Sequence, residues 1–199
     1  MSRRDSVRLG AVSGLLVLAL VATGCGEDDS AGNAGGGQPA AEPFGPACSN
    51  VPASGAGSFE QMMTAPVVDA AAANPLLSSL VMDLELAGLI DTLNSAAALT
   101  VFAPTDDAFA AAAQADPGAM EEMMADPTGE FADLLAYHVV EEQIAPADLA
   151  GEHTTLQGGT LVVEGGGESF TVNGSASIVC GDIHADNATV YIIDEVLHP

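Results

Sequence analysis

The side chains best suited to chemistry in this 199-residue chain are four histidines, three cysteines and several adjacent carboxylate pairs. His153, His184 and His198 are isolated along the sequence, and no HExxH, His-x-His or Cys-His spacing marks a metal site. The pairs Asp106-Asp107, Glu121-Glu122, Glu141-Glu142 and Asp194-Glu195 would do acid-base work only if two different environments separated their pKa values. They read instead as solvated helix starts. No GxSxG elbow, phosphate loop or dinucleotide fingerprint is present, and Cys180 has no candidate base nearby in sequence. No catalytic residue, metal or cofactor is therefore expected. His138, directly after Tyr137, is the most suggestive group. The pair stands where a helix exits into a sheet, so both side chains are expected to be buried, with the imidazole orienting the turn at Thr105 and Asp106.

These residues are set among readable elements. Thr100 to Phe109 place the β-formers Val101 and Phe102 before Pro104, then offer Thr105 or Asp106 as an N-cap with acids in the first helical turn, a strand-to-helix junction. The chain closes on a second apolar strand-like run, TVYIIDEVLHP, which looks like its companion. Upstream, Ser58 and Gln61 form a capping box for a short helix ending before Pro66. Leu76, Leu77, Leu80, Val81 and Leu84 then recur at helical spacing after Asn74-Pro75. Further helical stretches follow Pro117 and run through Phe131, Leu134 and Leu135 to Tyr137. Beyond Gly151 the pattern changes to short β-rich runs at 154–156, 160–163, 169–172, 177–179 and 189–196, separated by Gly, Asn and Asp. Helices first and antiparallel strands last indicate α+β. The sequons at Asn173 and Asn187 read as turns.

The strand-to-helix junction, the segment LLAYHVV (134–140) and the closing run resemble, in that order, the signature segments of the fasciclin (FAS1) domain, over roughly Pro66 to Pro199. The resemblance implies a β-wedge or sandwich with several helices packed on it. It also implies a candidate interaction or structural motif at Tyr137, His138, Thr105 and Asp106, since the Tyr-His segment of some animal members is tied to integrin-dependent adhesion.

Arg3, Arg4 and Arg8 are the only basic residues apart from histidine, and they head an apolar stretch that reads as an export signal over 1–24. Ala22-Thr23-Gly24-Cys25 resembles a bacterial lipobox, which makes Cys25 the lipidation site. An acidic Gly/Ala/Pro-rich tether (25–45) follows, then the fasciclin domain with an N-terminal strap (46–199). With Cys25 assigned to lipid, Cys48 and Cys180 remain in an oxidising compartment and are expected to pair, as in the single-domain fasciclin proteins of mycobacterial type that the GPAC and IVCGDI segments resemble. The enclosed loop would contribute about 5 kcal/mol at most in the chain-entropy picture.

All but one of the 28 carboxylates lie beyond Arg8, where Lys and Arg are absent. Nucleic acid is excluded as a partner. The expectation is a non-catalytic adhesion or interaction module at the cell surface, contacting a protein or glycan of an envelope, matrix or neighbouring cell through a sheet edge. The alternative is an envelope protein that binds a small ligand or divalent cations through its acidic surface. Because no Lys or Arg offsets the carboxylates, added monovalent salt should raise the melting temperature by screening their repulsion. A melting temperature flat from low to molar salt would show the carboxylates to be too far apart to interact.

Overall fold

The structure, a computed structural model, describes residues 42–199; the assignments made for 1–41, Cys25 among them, lie outside the described residues. At its centre β1 (Leu99–Pro104) and β7 (Ala188–Ile193) run side by side in parallel, from Leu99 opposite Ala188 to Pro104 opposite Ile193. Every residue of both strands is buried. The period of two sends Leu99, Val101, Ala103, Val190 and Ile192 into one core, lined by helices, and Phe102, Tyr191 and Ile193 into a second core on the opposite face.

The seven strands are ordered β2-β1-β7-β6-β5-β4-β3, with β2 (Val139–Val140), β3 (Gly151–Thr154), β4 (Thr160–Gly166), β5 (Ser169–Val172) and β6 (Ala176–His184). Neighbours from β3 to β7 pair antiparallel, as does β2 with β1, so the sheet is mixed, with one parallel pair at its middle. A bridge between Val140 and Thr155, and the bond from Leu156 N–H to the Val139 carbonyl at 2.7 Å, bring the two outer strands together. The sheet edge expected to be the working surface is thus closed on itself at that end. The strand expected at 154–156 lies slightly earlier, because Thr155 begins a turn. β6 is longer than its apolar run, since two register shifts, with Asp182 at φ 60°, let it cross polar positions.

Seven helices are found among the described residues. Ser58 caps α1 (Phe59–Met62) through the Gln61 N–H, Thr105 caps α5 (Asp106–Ala115), and Asp116 caps α6 (Pro117–Ala125). The leucine-rich helix is α3 (Ser78–Leu86), and α7 (Glu130–Tyr137) leads to the Tyr-His pair. Two short helices, α2 (Val67–Ala72) and α4 (Ile90–Ser95), were not anticipated. The N-cap of α2 is Pro66, which has no side-chain oxygen to offer. Its first N–H groups are met from far along the chain, Val67 by Asn187 Oδ1 at 2.9 Å and Val68 by Asn94 Oδ1 at 3.0 Å. The Asn187 amide also donates to the carbonyls of Leu93 (2.8 Å) and Ala96 (3.0 Å), which fixes the end of α4. This residue heads an Asn-x-Thr sequon, yet it is buried with its amide fully engaged.

Ahead of the helices, Phe44 bridges to Gly181 and is buried near Phe170 and Tyr191, so the packed body begins slightly before Pro46. The fit is close. A Cβ at Gly45, whose φ is 107°, would run into the Val179 carbonyl, and one at Gly181 would run into the Phe44 ring. A 3-10 turn (Pro46–Asn50) follows and is bonded to β6 by the Cys48–Cys180 disulfide, whose partners are 132 residues apart.

Asn187→Ala removes three bonds that join α2, α4 and β7 and leaves buried backbone groups unpaired, so it should cost roughly 2–4 kcal/mol. Urea unfolding checks this, and a loss below about 0.5 kcal/mol would mean the amide is dispensable.

Candidate functional site

Tyr137 and His138 are both buried, at 4% and 2% exposure. The Tyr137 hydroxyl donates to the Thr160 carbonyl at 2.9 Å and accepts from the Asn173 amide at 3.0 Å, joining the end of α7 to β4 and the turn after β5. Asn173 also accepts from the Val162 N–H, so the second sequon side chain is engaged as well. His138 makes two bonds of different kinds. Nε2 accepts from the Leu197 N–H at 2.9 Å, which requires that Nδ1 carry the proton and donate it to the Leu134 carbonyl at 2.8 Å. The ring therefore clamps the last turn of α7 to the C-terminal segment. It does not orient the turn at Thr105 and Asp106, because the imidazole folds back along its own helix. The bond from His138 to β1 is made by its backbone, its carbonyl accepting from the Phe102 N–H.

Burial holds the His138 pKa down at about 4, with His198 acting in the same direction and the bond to Leu134 opposing. At neutral pH the ring is uncharged and both nitrogens are satisfied. It is poorly placed for proton transfer with a ligand.

Thr105 and Asp106 build a separate junction. The Thr105 hydroxyl accepts from the Ala108 N–H at 3.1 Å, while its own N–H donates to the Ile193 carbonyl. The Asp106 carboxylate reaches across to the start of α3, accepting from the Ser79 N–H at 2.7 Å and the Ser78 hydroxyl at 2.6 Å. It thus caps a neighbouring helix whose own N-cap, Leu77, has no side-chain acceptor. Partial burial pushes the Asp106 pKa up, but the bonds from Ser78 and Ser79 outweigh it and the net shift is downward. One helical turn on, Asp83 has the opposite shift, to about 6, from burial and then from the Asp106 charge. Two carboxylates with separated pKa values are the pattern that acid-base catalysis uses, but here one of them is occupied as a helix cap.

Beside this junction, two concavities of roughly 420 and 810 Å³ share Ala111 of α5 and Asp194 as lining residues and so adjoin as a trough along α5. Its sides include Pro46 and Ala47 of the strap, Thr105 and Asp106, and His198. Ser175, Asp194 and His198 share one concavity, but among the described residues no hydrogen bond links Ser175 to His198 or His198 to Asp194, and an Asp194 oxygen accepts instead from the Ser177 N–H at 2.7 Å. Sequence reasoning gave no sign of the trough, since alanines at 108, 111, 112 and 115 carry no chemical signal. It also passed over Asp182, buried in β6 with one oxygen 3.3 Å from His184 Nε2 and its pKa raised by burial against the influence of that ring. Among the described residues, no group of three His, Cys, Asp or Glu side chains is placed to hold a metal ion, and no helix is long and apolar enough to cross a membrane.

A helical layer on a nearly closed mixed sheet, with its marked polar side chains turned onto backbone groups, defines a single-domain α+β module. The chain belongs to the fasciclin family, whose domain model matches residues 75–199. It is 40% identical over 169 residues to the cell surface glycolipoprotein MPB83 of Mycobacterium bovis, covering 81% of this chain and 74% of that one. It is 39% identical over 163 residues to the immunogenic protein MPB70 of the same species, covering 78% and 81%. In fold it is similar to the FAS1 domain pair of the insect cell adhesion molecule fasciclin I, with a TM-score of 0.60 at 17% identity. That match covers 68% of this chain and about half (51%) of the two-domain chain.

The His138 geometry generates a pH signature. Its folded pKa lies below the unfolded value of 6.5, so the unfolded chain takes up the proton first. The stability this creates is full above pH 6.5 and is lost as pH falls toward 4, on the order of 3 kcal/mol. Asp83 acts in the opposite sense: its folded pKa is raised, so its contribution is full below pH 3.8 and is lost as pH rises through about 6. Comparing variants at each pH cancels that background. His138→Ala should cost roughly 1–3 kcal/mol at pH 7, and the cost should shrink toward pH 4.5. Equal costs at both pH values, read by urea unfolding, would contradict the clamp.

Proposed function

We propose that this protein is an exported cell-surface lipoprotein, held by a lipid on Cys25 and a solvated tether, whose fasciclin domain acts as a non-catalytic adhesion or interaction module. Its partner would be a protein or glycan of an envelope, matrix or neighbouring cell. The observation that carries this reading is the use made of Tyr137, His138, Thr105 and Asp106: each is bonded to the fold's own backbone, which leaves surface shape and charge as the means of recognition. The family membership and the names of the mycobacterial relatives support it. The cation-binding alternative draws no comparable support from the described residues. A diacylglycerol on the Cys25 thiol, with its two acyl chains, and a flexible spacer would hold such a domain near a membrane and leave it free to reorient.

Cys25→Ala should move the full-length protein from the detergent phase to the aqueous phase on phase partitioning, and should abolish attachment of the producing cells to surfaces coated with envelope or matrix material. Retention in the detergent phase would refute the lipid anchor. Unchanged attachment after release of the protein from the cells would refute the interaction role.

A further inference from the structure

We propose that the trough along α5 docks a Lys- or Arg-bearing polypeptide segment of a partner protein, an inference that rests on reading the domain as an interaction module. The trough is concave, with a partly apolar floor: Ala108 and Ala112 lie low in it, Ala111 and Ala115 are exposed, and Leu76 and Val179 extend it toward the strap. Its strap wall is held in place by the Cys48–Cys180 bond. The rim is acidic. The carboxylates of Asp106 and Asp194 are already bonded to backbone N–H groups, whereas Asp107 and Glu195 stand exposed at the two ends.

Charge complementarity selects the occupant. Beyond the export signal read over 1–24 the sequence holds no Lys or Arg, so on that reading a side-chain cation other than histidine must come from another molecule. A bare metal ion would meet the rim but leave the alanine floor uncovered, and a second copy of the domain would bring like charge. A Lys or Arg side chain satisfies both features at once, with its methylene stem on the alanine methyls and its head group at a carboxylate. An extended segment with small residues between the basic ones would fit a floor that has no deep side-chain pocket.

The probe is a fluorescein-labelled twelve-residue peptide of alternating Lys and Ala, titrated against the full-length protein in detergent at low salt and followed by anisotropy. Asp107→Asn with Glu195→Gln should weaken binding about tenfold, whereas Glu121→Gln with Glu122→Gln, which removes the same charge from exposed positions on α6, should change it less than about twofold. Ala111→Trp, which fills the floor from an exposed position, should also abolish tight binding. Equal losses in the two double variants would reduce the effect to bulk attraction and overturn the proposal. So would undiminished binding by a folded Ala111→Trp protein. If either result accompanied intact Cys25-dependent cell attachment, the interaction role would stand and only this site would fall.

Discussion

The parallel contact between β1 and β7 is the constraint around which the rest of the molecule is arranged. Two strands from distant parts of the chain lie together with every side chain buried, so both faces of the pair must be covered. One face receives the helical layer through residues such as Leu80, Leu93, Phe109 and Phe131. The other is covered by the sheet itself, which curls so that Leu161, Val163, Phe170 and Val172 close over Phe102 and Tyr191. A parallel pair also cannot be joined by a tight turn. The long crossover it demands contains the Tyr-His segment and most of the strands, which is why the clamp at His138 matters: it fastens the middle of that crossover to the residues just after β7.

Much of this was legible in the sequence because the signals were local. The Thr105 cap, the leucine spacing of α3 and the apolar runs of β1 and β7 are each written within about ten residues. What was not legible depended on distant partners. α2 starts at a proline, and its N–H groups are met by Asn94 and Asn187, so no nearby residue announces it. Asn187 itself looked like a turn or sugar acceptor because its motif says nothing about burial. His138 was correctly read as buried, but its bonding partner could not be foreseen: Leu197 is held through its backbone N–H, and any residue but proline supplies one. The trough was invisible for a similar reason, since shape emerges from packing and alanine is chemically silent.

The near-absence of basic side chains shapes the interior chemistry as well as the surface. With no arginine or lysine among the described residues, the half-buried Asp106 and the exposed Asp116 and Asp194 accept from backbone N–H groups, two of them at helix starts where the peptide dipoles favour negative charge. The one deeply buried imidazole stays neutral and works as a donor and acceptor at once.

The position of the disulfide has a mechanical consequence. A pull applied between the N-terminal lead and the C-terminus reaches Cys48, crosses to Cys180, and bypasses the intervening chain altogether. The 132-residue separation of the two cysteines corresponds to roughly 450 Å of contour length that cannot be paid out under load while the bond is intact. Tension is carried instead by the short strap, the part of β6 beyond Cys180, and β7, whose every residue is buried. The helical layer lies outside the load path, whereas the trough beside it takes one wall from the strap and another from residues after β7, so a domain straining against a tether would keep its helical surface while the pull acted on the sides of the trough.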